Sequence, residues 1–418
     1  MNKLTSLARK IVLKRLRNLT EGYLELVCPE GNYCFGDEGS SIRGLIVVHN
    51  ERFFLRVMKD GDIGLGESFV DQDWSSPDLT AVIQIGVKNL AAVGTDNSLL
   101  SVLARFRNRL WHRQNENSLS GSRNNISYHY DLGNDFYRLF LDPHMAYSCA
   151  YFETSGDSLE RAQFNKFDRI CRKLNLSERD HVLEIGTGWG GFAVHAVRNY
   201  GCRITTTTIS RAQHDYTQEL IEREGLSDRI NLLFCDYRQL QGTFDKIVSI
   251  EMFEAVGLRY YDTFFQKCEE LLNRTGSMLL QTISINDRVF DSYRKNCDWI
   301  QKYIFPGAEL ASVAEICRSV SRRDSLQLYH AEDIGMHYAS TLRAWRDRFL
   351  EAKESVMALG FDERFVRMWT YYFTYCEAAF LERHIGDFQI LLTRSLCSAP
   401  LLDEPAILFQ SPTETRSA

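Results

Sequence analysis

The sequence has 418 residues, of which 44% are hydrophobic and 25% are charged, so it can bury a large core and is long enough for two domains. Its eleven cysteines include no CxxC pair and no metal-ligand spacing, which disfavours a metal centre and favours free thiols in a reducing cytoplasm. A net charge of −6 disfavours nucleic acid as a partner, and no apolar stretch reaches the roughly 18 residues of a membrane span.

The first 19 residues predict an amphipathic helix. Leu4, Leu7, Ile11 and Leu16 recur at helical spacing, which leaves the lysines and arginines on the other faces. The pattern is typical of a helix that lies on an anionic bilayer, and also of a helix that packs on its own domain. Basic residues throughout the apolar part disfavour a cleaved signal peptide. We therefore expect a cytoplasmic protein with peripheral contact to the inner face of the membrane.

Residues 20 to 88 read as short strands separated by turns. The predicted strands are YLELVCPEG, YCFGDEGS, LIVVHN and RFFLRVM, and Asp78 is placed to start a helix after them. The pattern predicts a small α+β domain over residues 1–113, for which membrane docking and homodimer formation are the two hypotheses. The polar, Ser/Asn-rich stretch that follows predicts a linker at 114–126.

From residue 127 to 400, apolar strands alternate with helical stretches. In chain order these are HVLEIG, GGFAVHAVRNY, RITTTTIS, RAQHDYTQELIEREG, INLLFCDY, FDKIVSIEMF, YYDTFFQKCEELL and SMLLQTISI. Such alternation predicts an α/β domain whose largely parallel, Rossmann-like sheet has helices on both faces. Residues 401–418 are expected to be a flexible tail.

A glycine turn follows the first strand of this domain, in VLEIGTGWGG. Gly186, Gly188 and Gly191 match the GxGxxG spacing, which a dinucleotide oxidoreductase would also show. Glu184, at the end of the strand, would repel a pyrophosphate. The same carboxylate suits the sulfonium and ammonium groups of S-adenosylmethionine, and glycines let that ligand approach the backbone closely. The motif therefore favours an S-adenosylmethionine site.

The next two strands end in residues that predict further contacts to this cofactor. The second strand ends in TTTTIS, without a carboxylate for the ribose hydroxyls, so Thr208, Ser210 or Gln213 must take that role. Asp236 follows the strand INLLFC and is placed to accept a hydrogen bond from the adenine amino group. An ordinary turn or N-cap residue is the alternative for Asp236.

Seven ordered motifs resemble a known family. They are HYDLGNDFY, DPHMAYSCAYFE, VLEIGTGWGG, TTISRAQ, FDKIVSIEMFEAVG, WIQKYIFPG and RMWTYYFTYC. Over about residues 127 to 395 the chain resembles the cyclopropane fatty acid synthases and the mycolic acid cyclopropane synthases and methyltransferases. The resemblance implies a class I methyltransferase sheet with a helical acyl-binding cover. It also implies transfer of a methyl or methylene carbon from S-adenosylmethionine to the cis double bond of an unsaturated phospholipid acyl chain.

The resemblance also assigns residues to the cofactor and to a base. The implied cofactor contacts are Tyr130, Tyr147, Ser148, Gly186, Gly188, Gly190, Thr208, Gln213 and Asp236, in addition to Glu184. A bicarbonate ion that acts as the base would be held by Cys149, Glu254, the backbone of Ile283 and Tyr338. The aromatic stretch MWTYYFTYCEAAF is expected to line an acyl tunnel.

The chain departs from the family at two positions, where Ala255 and Gln281 replace histidines that the synthases usually show. Gln281 can donate a hydrogen bond to an anion but cannot titrate near neutrality. Two products therefore remain open: a cyclopropane ring, and a methylated alkene or methyl-branched chain made with a partner reductase or desaturase. A small-molecule N- or O-methyltransferase and a non-catalytic lipid sensor are the other hypotheses.

Overall fold

The computed structural model describes residues 3–90 and 132–397, which form two separate sheets. Tyr130, the predicted linker 114–126 and the predicted tail 401–418 lie outside the described residues.

The first sheet belongs to a small α+β unit. Its elements are α1 (Lys3–Leu16), β1 (Tyr23–Cys28), β2 (Gly31–Gly36), β3 (Arg43–Val48), α2 (Arg52–Val70), β4 (Trp74–Ser75) and α3 (Leu79–Lys88). The strand order is β2-β1-β3-β4, with β1 antiparallel to β2 and parallel to β3. Asp78 caps α3 as predicted, since its carboxylate accepts the amide N–H of Ala81 at 3.0 Å.

The prediction that RFFLRVM forms a strand is wrong, because these residues begin helix α2. Phe53 and Phe54 are adjacent in the chain, yet both are buried in the same apolar core, and Val57 packs against that core as well. A strand would direct neighbouring side chains to opposite faces, whereas positions i, i+1 and i+4 share one face of a helix. The apolar run is therefore a helical face.

Helix α1 forms as predicted. It packs on its own domain through Ala8 and Val12, which are buried. Arg9 is buried as well, contrary to the expectation that every cation lies on an outer face, and it is held by Glu30 and by the Tyr33 hydroxyl at 3.0 Å. The pairing explains the burial, since a charge leaves water only with a partner.

The second sheet belongs to the larger domain. Its elements are α4 (Asn134–Arg138), α5 (Leu159–Lys173), β5 (His181–Ile185), α6 (Gly191–Tyr200), β6 (Arg203–Thr208), α7 (Arg211–Arg223), β7 (Ile230–Phe234), β8 (Phe244–Ile250), α8 (Tyr261–Leu271), β9 (Leu272–Ile285), α9 (Asp287–Tyr293), α10 (Trp299–Tyr303), α11 (Val313–Val320), β10 (Leu326–Asp333), α12 (Gly335–Glu351), α13 (Lys353–Ala358), α14 (Glu363–Leu381) and β11 (Ile385–Arg394).

The strand order of this sheet is β10-β11-β9-β8-β5-β6-β7. Strands β9, β8, β5, β6 and β7 run parallel, and β11 is antiparallel to both β9 and β10. This is the predicted Rossmann-like sheet of class I methyltransferases. Strands β6 and β7 are added on one side of β5, and the next strand, β8, lies on its other side. Ligands bind at the carboxyl edge of such a switch point in the strand order.

The small unit and the helical cover of the large domain share one apolar core. Buried residues of β1, β3, α2 and α3 belong to the same cluster as those of α12 and α14. Glu377 of α14 lies in this contact region with 1% of its surface exposed. Its carboxylate accepts hydrogen bonds from Arg343 at 2.8 Å, from Arg346, and from Thr80 of α3 at 3.1 Å. Packing and charge therefore join the two parts.

We expect Glu377→Ala to lower the free energy of unfolding by about 3 kcal/mol, because it leaves Arg346 partly buried without its partner. The measurement is urea unfolding followed by circular dichroism. Glu363→Ala, on the same helix but half exposed and paired with Lys353 at 2.7 Å, is the control. It should cost less than about 1 kcal/mol. Equal losses in both variants would contradict the interpretation.

Candidate active site

One cavity of about 1140 Å³ lies between the carboxyl edge of the large sheet, the helical cover and the small α+β unit. Its wall extends from the glycine turn after β5 to Val12, Val57 and Ile83 of the small unit. Ordinary small-molecule pockets measure about 300 to 1,000 Å³. The cavity therefore has room for a cofactor and for part of a second ligand.

The glycine turn presents bare backbone to this cavity. Gly186 and Gly188 have φ angles of 103° and 53°, in the range that favours glycine. A Cβ atom on Gly186 would lie 3.0 Å from Cβ of Met252, whereas one on Gly188 would have no atom within 4 Å. The turn thus leaves open space beside its backbone, as a closely approaching ligand requires.

Most of the predicted cofactor residues meet at this end of the cavity. Those that line it are Tyr147, Ser148, Glu184, Gly186, Gly188, Thr208, Gln213 and Asp236. Gly190 is not among the lining residues; it caps α6 behind the turn, where a Cβ atom would lie 2.8 Å from Cγ2 of Thr217. The strands β5, β6 and β7 bring the set together because their carboxyl ends share one edge of the sheet.

Glu184 is almost fully buried, with 2% of its surface exposed. Its carboxylate accepts a hydrogen bond from the hydroxyl of Thr206 at 2.6 Å. Burial raises the pKa of Glu184 to about 8, against the lowering effects of Thr206 and Lys166. A cationic ligand at this point would favour the ionised carboxylate.

The other two strand ends hold their polar side chains in local hydrogen bonds. The Thr208 hydroxyl donates to the side-chain oxygen of Gln213 at 2.9 Å. Both carboxylate oxygens of Asp236 accept from the Arg238 guanidinium at 2.7 Å, and one of them also accepts the Arg238 amide N–H at 3.0 Å. Asp236 is thus a capping residue that also faces the cavity, so both of its predicted roles are compatible with the geometry.

Three donors from the predicted anion site converge on a carboxylate that the sequence analysis did not single out, that of Glu251. The amide N–H of Cys149 donates to it at 2.7 Å, the hydroxyl of Tyr338 at 2.6 Å and the side-chain amide of Gln281 at 2.8 Å. Burial raises the pKa of Glu251, while these three hydrogen bonds and the charge of Lys166 lower it. Cys149 and Tyr338, two members of the predicted anion site, therefore bind a carboxylate of the protein together with Gln281.

The backbone of Glu251 is in an uncommon conformation. Its φ angle is 48°, in the left-handed region that residues other than glycine seldom adopt. The residue directly follows β8, at the same sheet edge as Glu184 and Asp236. Such backbone strain costs roughly 1 to 3 kcal/mol and concentrates at functional sites.

Glu254 forms a second, separate carboxyl site on the same wall. One of its oxygens accepts the amide N–H of Ile283 at 2.5 Å and the hydroxyl of Thr282 at 3.0 Å, and the other oxygen is buried without a partner. Burial raises its pKa to about 8, and the charge of Glu251 acts in the same direction. Of the five residues predicted to be catalytic, Glu254, Ile283 and Tyr338 line the cavity, whereas Cys149 and Gln281 lie behind its surface.

A chain of amides orients Gln281 towards Glu251. The Nε2 atom of Gln281 also donates to Asp387 at 2.9 Å, and its oxygen accepts from Nε2 of Gln389 at 3.1 Å. The oxygen of Gln389 accepts from the ammonium of Lys173 at 2.7 Å. A lysine ammonium can only donate hydrogen bonds, so Lys173 fixes the orientation of the Gln389 amide and, through it, that of the Gln281 amide. The NH₂ group of Gln281 therefore points to the carboxylates of Glu251 and Asp387.

Lys166 is the cation that faces these carboxyl groups. It is fully buried and donates to the Ser148 hydroxyl at 2.7 Å. Burial lowers its pKa to about 8, while Glu251 and nearby acidic groups raise it. Burial also raises the pKa of Asp387 and of the Cys149 thiol well above their usual values. Burial thus favours the neutral acids at Glu254 and Asp387, and the Cys149 thiol stays protonated.

Sequence reasoning missed Glu251, Asp387, Lys166 and Gln389. Glu251 had a recognisable signal, since an acidic residue directly after the apolar strand FDKIVSI repeats the placement of Asp236 after INLLFC. The replacement of two histidines by Ala255 and Gln281 was a second signal that this part of the site is arranged differently. For the other three residues no local pattern points to the site.

Comparison with known proteins gives matches over most of the chain. The model of the mycolic acid cyclopropane synthetase family matches residues 117–390. The cyclopropane-fatty-acyl-phospholipid synthase of Escherichia coli K12 is 38% identical over 382 residues, 89% of this chain and 92% of that protein. The tuberculostearic acid methyltransferase UfaA1 of Mycobacterium tuberculosis is 34% identical over 387 residues, 90% of this chain and 89% of that protein.

Solved structures show the same relationship. The crystal structure of mycolic acid cyclopropane synthase CmaA1 complexed with SAH and CTAB superposes with a TM-score of 0.61 at 31% identity. It covers 65% of this chain and 98% of the solved chain. The sheet, the cofactor cleft and these relatives together establish that the chain belongs to the mycolic acid cyclopropane synthetase family of S-adenosylmethionine-dependent methyltransferases.

Proposed function

We propose that the protein transfers the methyl group of S-adenosylmethionine to the cis double bond of an unsaturated phospholipid acyl chain, and that Glu251 is the base of the reaction. The observation that carries the proposal is the convergence of Cys149, Tyr338 and Gln281 on the Glu251 carboxylate beside the cofactor cleft. The length of the cavity and its apolar wall support an acyl substrate.

The residues of the cleft fit the charges of the cofactor. When bound, S-adenosylmethionine supplies an electrophilic methyl group. In the proposal, Glu184 faces its positive amino-acid portion, Thr208 and Gln213 bind the ribose, and Asp236 faces the adenine. Tyr147 lies between this cleft and the acyl region, where its hydroxyl is 2.9 Å from that of Tyr372. These tyrosines help to exclude water from the reacting atoms.

Methylation of one alkene carbon leaves the positive charge on the other carbon. The aromatic faces of Tyr338 and Phe380, stacked at 4.5 Å, are placed to stabilise that charge. The proton lost from the new methyl group goes to the ionised Glu251 carboxylate, and the electron pair of the broken C–H bond forms the new C–C bond. Tyr338 and the amide of Cys149 then stay bound to the neutral acid.

The proposed product is a cyclopropane ring, and a methylated alkene is the second candidate. If a hydride first moves from the methylated carbon to the neighbouring cationic carbon, the positive charge lies on the methylated carbon. Loss of a proton from the methyl group then yields a methylene group (C=CH₂) on the chain instead of a ring. The E. coli relative is named for the first product and UfaA1 for a methylated one. Both routes use the same base, so the residues around Glu251 do not by themselves select one.

Peripheral contact with an anionic bilayer is part of the proposal. Helix α1 leaves Leu4 and Leu7 exposed by 45% and 53%, beside exposed Lys3, Lys10 and Lys14. Apolar side chains flanked by lysines suit the interface of an acidic membrane. Within residues 3–90 and 132–397, none of the helices has the length and apolar character needed to span a bilayer.

We expect the affinity for S-adenosylmethionine to depend on pH through Glu184. Because burial raises the pKa of Glu184 to about 8, the carboxyl is largely neutral at pH 7, and a bound cation must ionise it. The affinity should therefore rise as the pH increases towards about 8 and level off above that value. Isothermal titration calorimetry measures this.

The Glu184→Gln variant should lose about tenfold in affinity at high pH, which corresponds to about 1.4 kcal/mol, together with its pH dependence. Glu219→Gln, an exposed carboxylate on α7, should bind as the wild type does. Unchanged affinity in Glu184→Gln would contradict the orientation proposed for the cofactor.

Incubation of the purified protein with S-adenosylmethionine and vesicles of an unsaturated phospholipid should add one carbon and two hydrogens to the acyl chains. Both candidate products have this mass, so mass spectrometry detects the transfer and proton NMR distinguishes cyclopropyl from vinylic signals. Cofactor binding without any mass gain would favour the lipid-sensor hypothesis. Methylation of small amines or alcohols in place of lipid would favour the hypothesis of a small-molecule N- or O-methyltransferase.

The role of Glu251 is tested by removing or neutralising its carboxylate. In bicarbonate-free buffer, Glu251→Gly and Glu251→Gln should both lower turnover by at least about 100-fold, because the base is lost. Glycine also suits the φ of 48° and empties the space among the three donors. Added bicarbonate should therefore restore part of the turnover in Glu251→Gly.

The glutamine variant is the matched control, since its amide still fills the space and cannot act as a base. Added bicarbonate should therefore not restore the turnover of Glu251→Gln. Near-normal turnover of Glu251→Gln, with cofactor affinity retained in calorimetry, would refute Glu251 as the base.

A further inference from the structure

Two carboxylates lie where helix α2 of the small unit meets α10, on the wall of the same cavity. Asp62 follows Gly61, whose φ of 58° interrupts α2, and its side chain is accessible from the cavity that it lines. Asp298 lines the same region and caps α10 through the amide N–H of Gln301 at 2.8 Å. Within the described residues, neither carboxylate forms an ion pair with a lysine or arginine.

The electrostatics of this pair call for a positive partner. Burial raises the pKa of Asp62 to about 7, and the charge of Asp298 raises it further, against the lowering effect of nearby amide N–H groups. Burial raises the pKa of Asp298 to about 6. A cation that binds between two acids on one cavity wall favours the ionised forms of both.

Aromatic side chains surround the two acids. Tyr371 and Tyr375 of α14 line the cavity with ring centroids 5.9 Å apart, and the Trp299 ring packs at an angle of 60° against Tyr371, with centroids 4.7 Å apart. The hydroxyl of Tyr371 is buried and has no hydrogen-bond partner. A buried donor without a partner costs about 1 to 3 kcal/mol, so this hydroxyl calls for a ligand that brings an acceptor.

Carboxylates and aromatic faces together are the groups that recognise an organic ammonium ion. A bare metal ion is disfavoured, because the described residues contain no cluster of three or more His, Cys, Asp or Glu side chains that could hold one. The ligand must also offer an acceptor to Tyr371 and must extend along an apolar cavity. A zwitterionic lipid has all three features: an ammonium group, phosphate or ester oxygens, and acyl chains.

We propose that Asp62, Asp298 and the aromatic side chains around them form a subsite for the ammonium head group of an aminophospholipid. The subsite lies beside Tyr371 and Tyr375 of α14. Tyr372 and Phe380 of the same helix line the part of the cavity next to Tyr338, which binds Glu251. Both regions therefore belong to a single cavity, which is open to one bound lipid. This inference rests on the proposed function and adds to it a preference for the head group.

The test is an internal competition within one membrane. Vesicles contain equal amounts of phosphatidylethanolamine and phosphatidylglycerol, whose unsaturated acyl chains carry different isotopic labels. The ratio of methyl gain in the two lipids, read by mass spectrometry, measures selectivity independently of vesicle binding and of the amount of active protein. We expect the wild type to favour phosphatidylethanolamine at least fivefold.

Asp62→Asn should bring this ratio close to one by slowing only the reaction of the aminolipid. Tyr371→Phe, which removes the unpartnered hydroxyl and keeps the ring, is expected to shift the ratio in the same direction. Asp60→Asn, two residues before Asp62 and not on the cavity wall, should keep the wild-type ratio.

Equal gain in both lipids by the wild type, or a wild-type ratio in both Asp62→Asn and Tyr371→Phe, would overturn the subsite. The proposed function would survive either of these results. Absence of gain in both lipids would instead refute the proposed function itself.

Discussion

The site is organised around one buried carboxylate, that of Glu251. Burial favours its neutral form and raises its pKa, while three hydrogen-bond donors and the charge of Lys166 oppose that tendency. Each donor comes from a different part of the large domain: Cys149 from the loop before α5, Gln281 from β9 and Tyr338 from α12. The folding of the whole domain is therefore what sets the basicity of this one group.

The surrounding charges follow from the same requirement. Glu251 and Asp387 face one buried ammonium, that of Lys166, so ionising both carboxyl groups would be costly. The hydrogen-bonded chain from Lys173 through Gln389 fixes the orientation of the Gln281 amide. If that amide were reversed, its oxygen would face a carboxylate and could not donate a hydrogen bond to it. Direction and charge are thus supplied by two different lysines, both on helix α5.

Local patterns in the sequence predicted the large sheet, the glycine turn and the carboxyl-edge residues, because each of these depends on neighbours in the chain. Glu184 and Asp236 could be found in this way. The convergence on Glu251 could not, since it joins positions 149, 281 and 338, which no periodicity relates. The short apolar run beginning at Phe53 was misassigned for a similar reason. A strand and a helix are both compatible with this run, and only its tertiary contacts decide between them.

The shared core also limits how far the two domains are interchangeable. Val12, Val57, Ile83 and Asp62 of the small unit complete the wall of a cavity whose chemical centre lies in the large domain. A chimera that took its first 90 residues from a relative would keep Glu251 and its three donors but acquire a different wall at the far end of the cavity. The two ends of this cavity can therefore change separately in evolution, although one continuous space joins them.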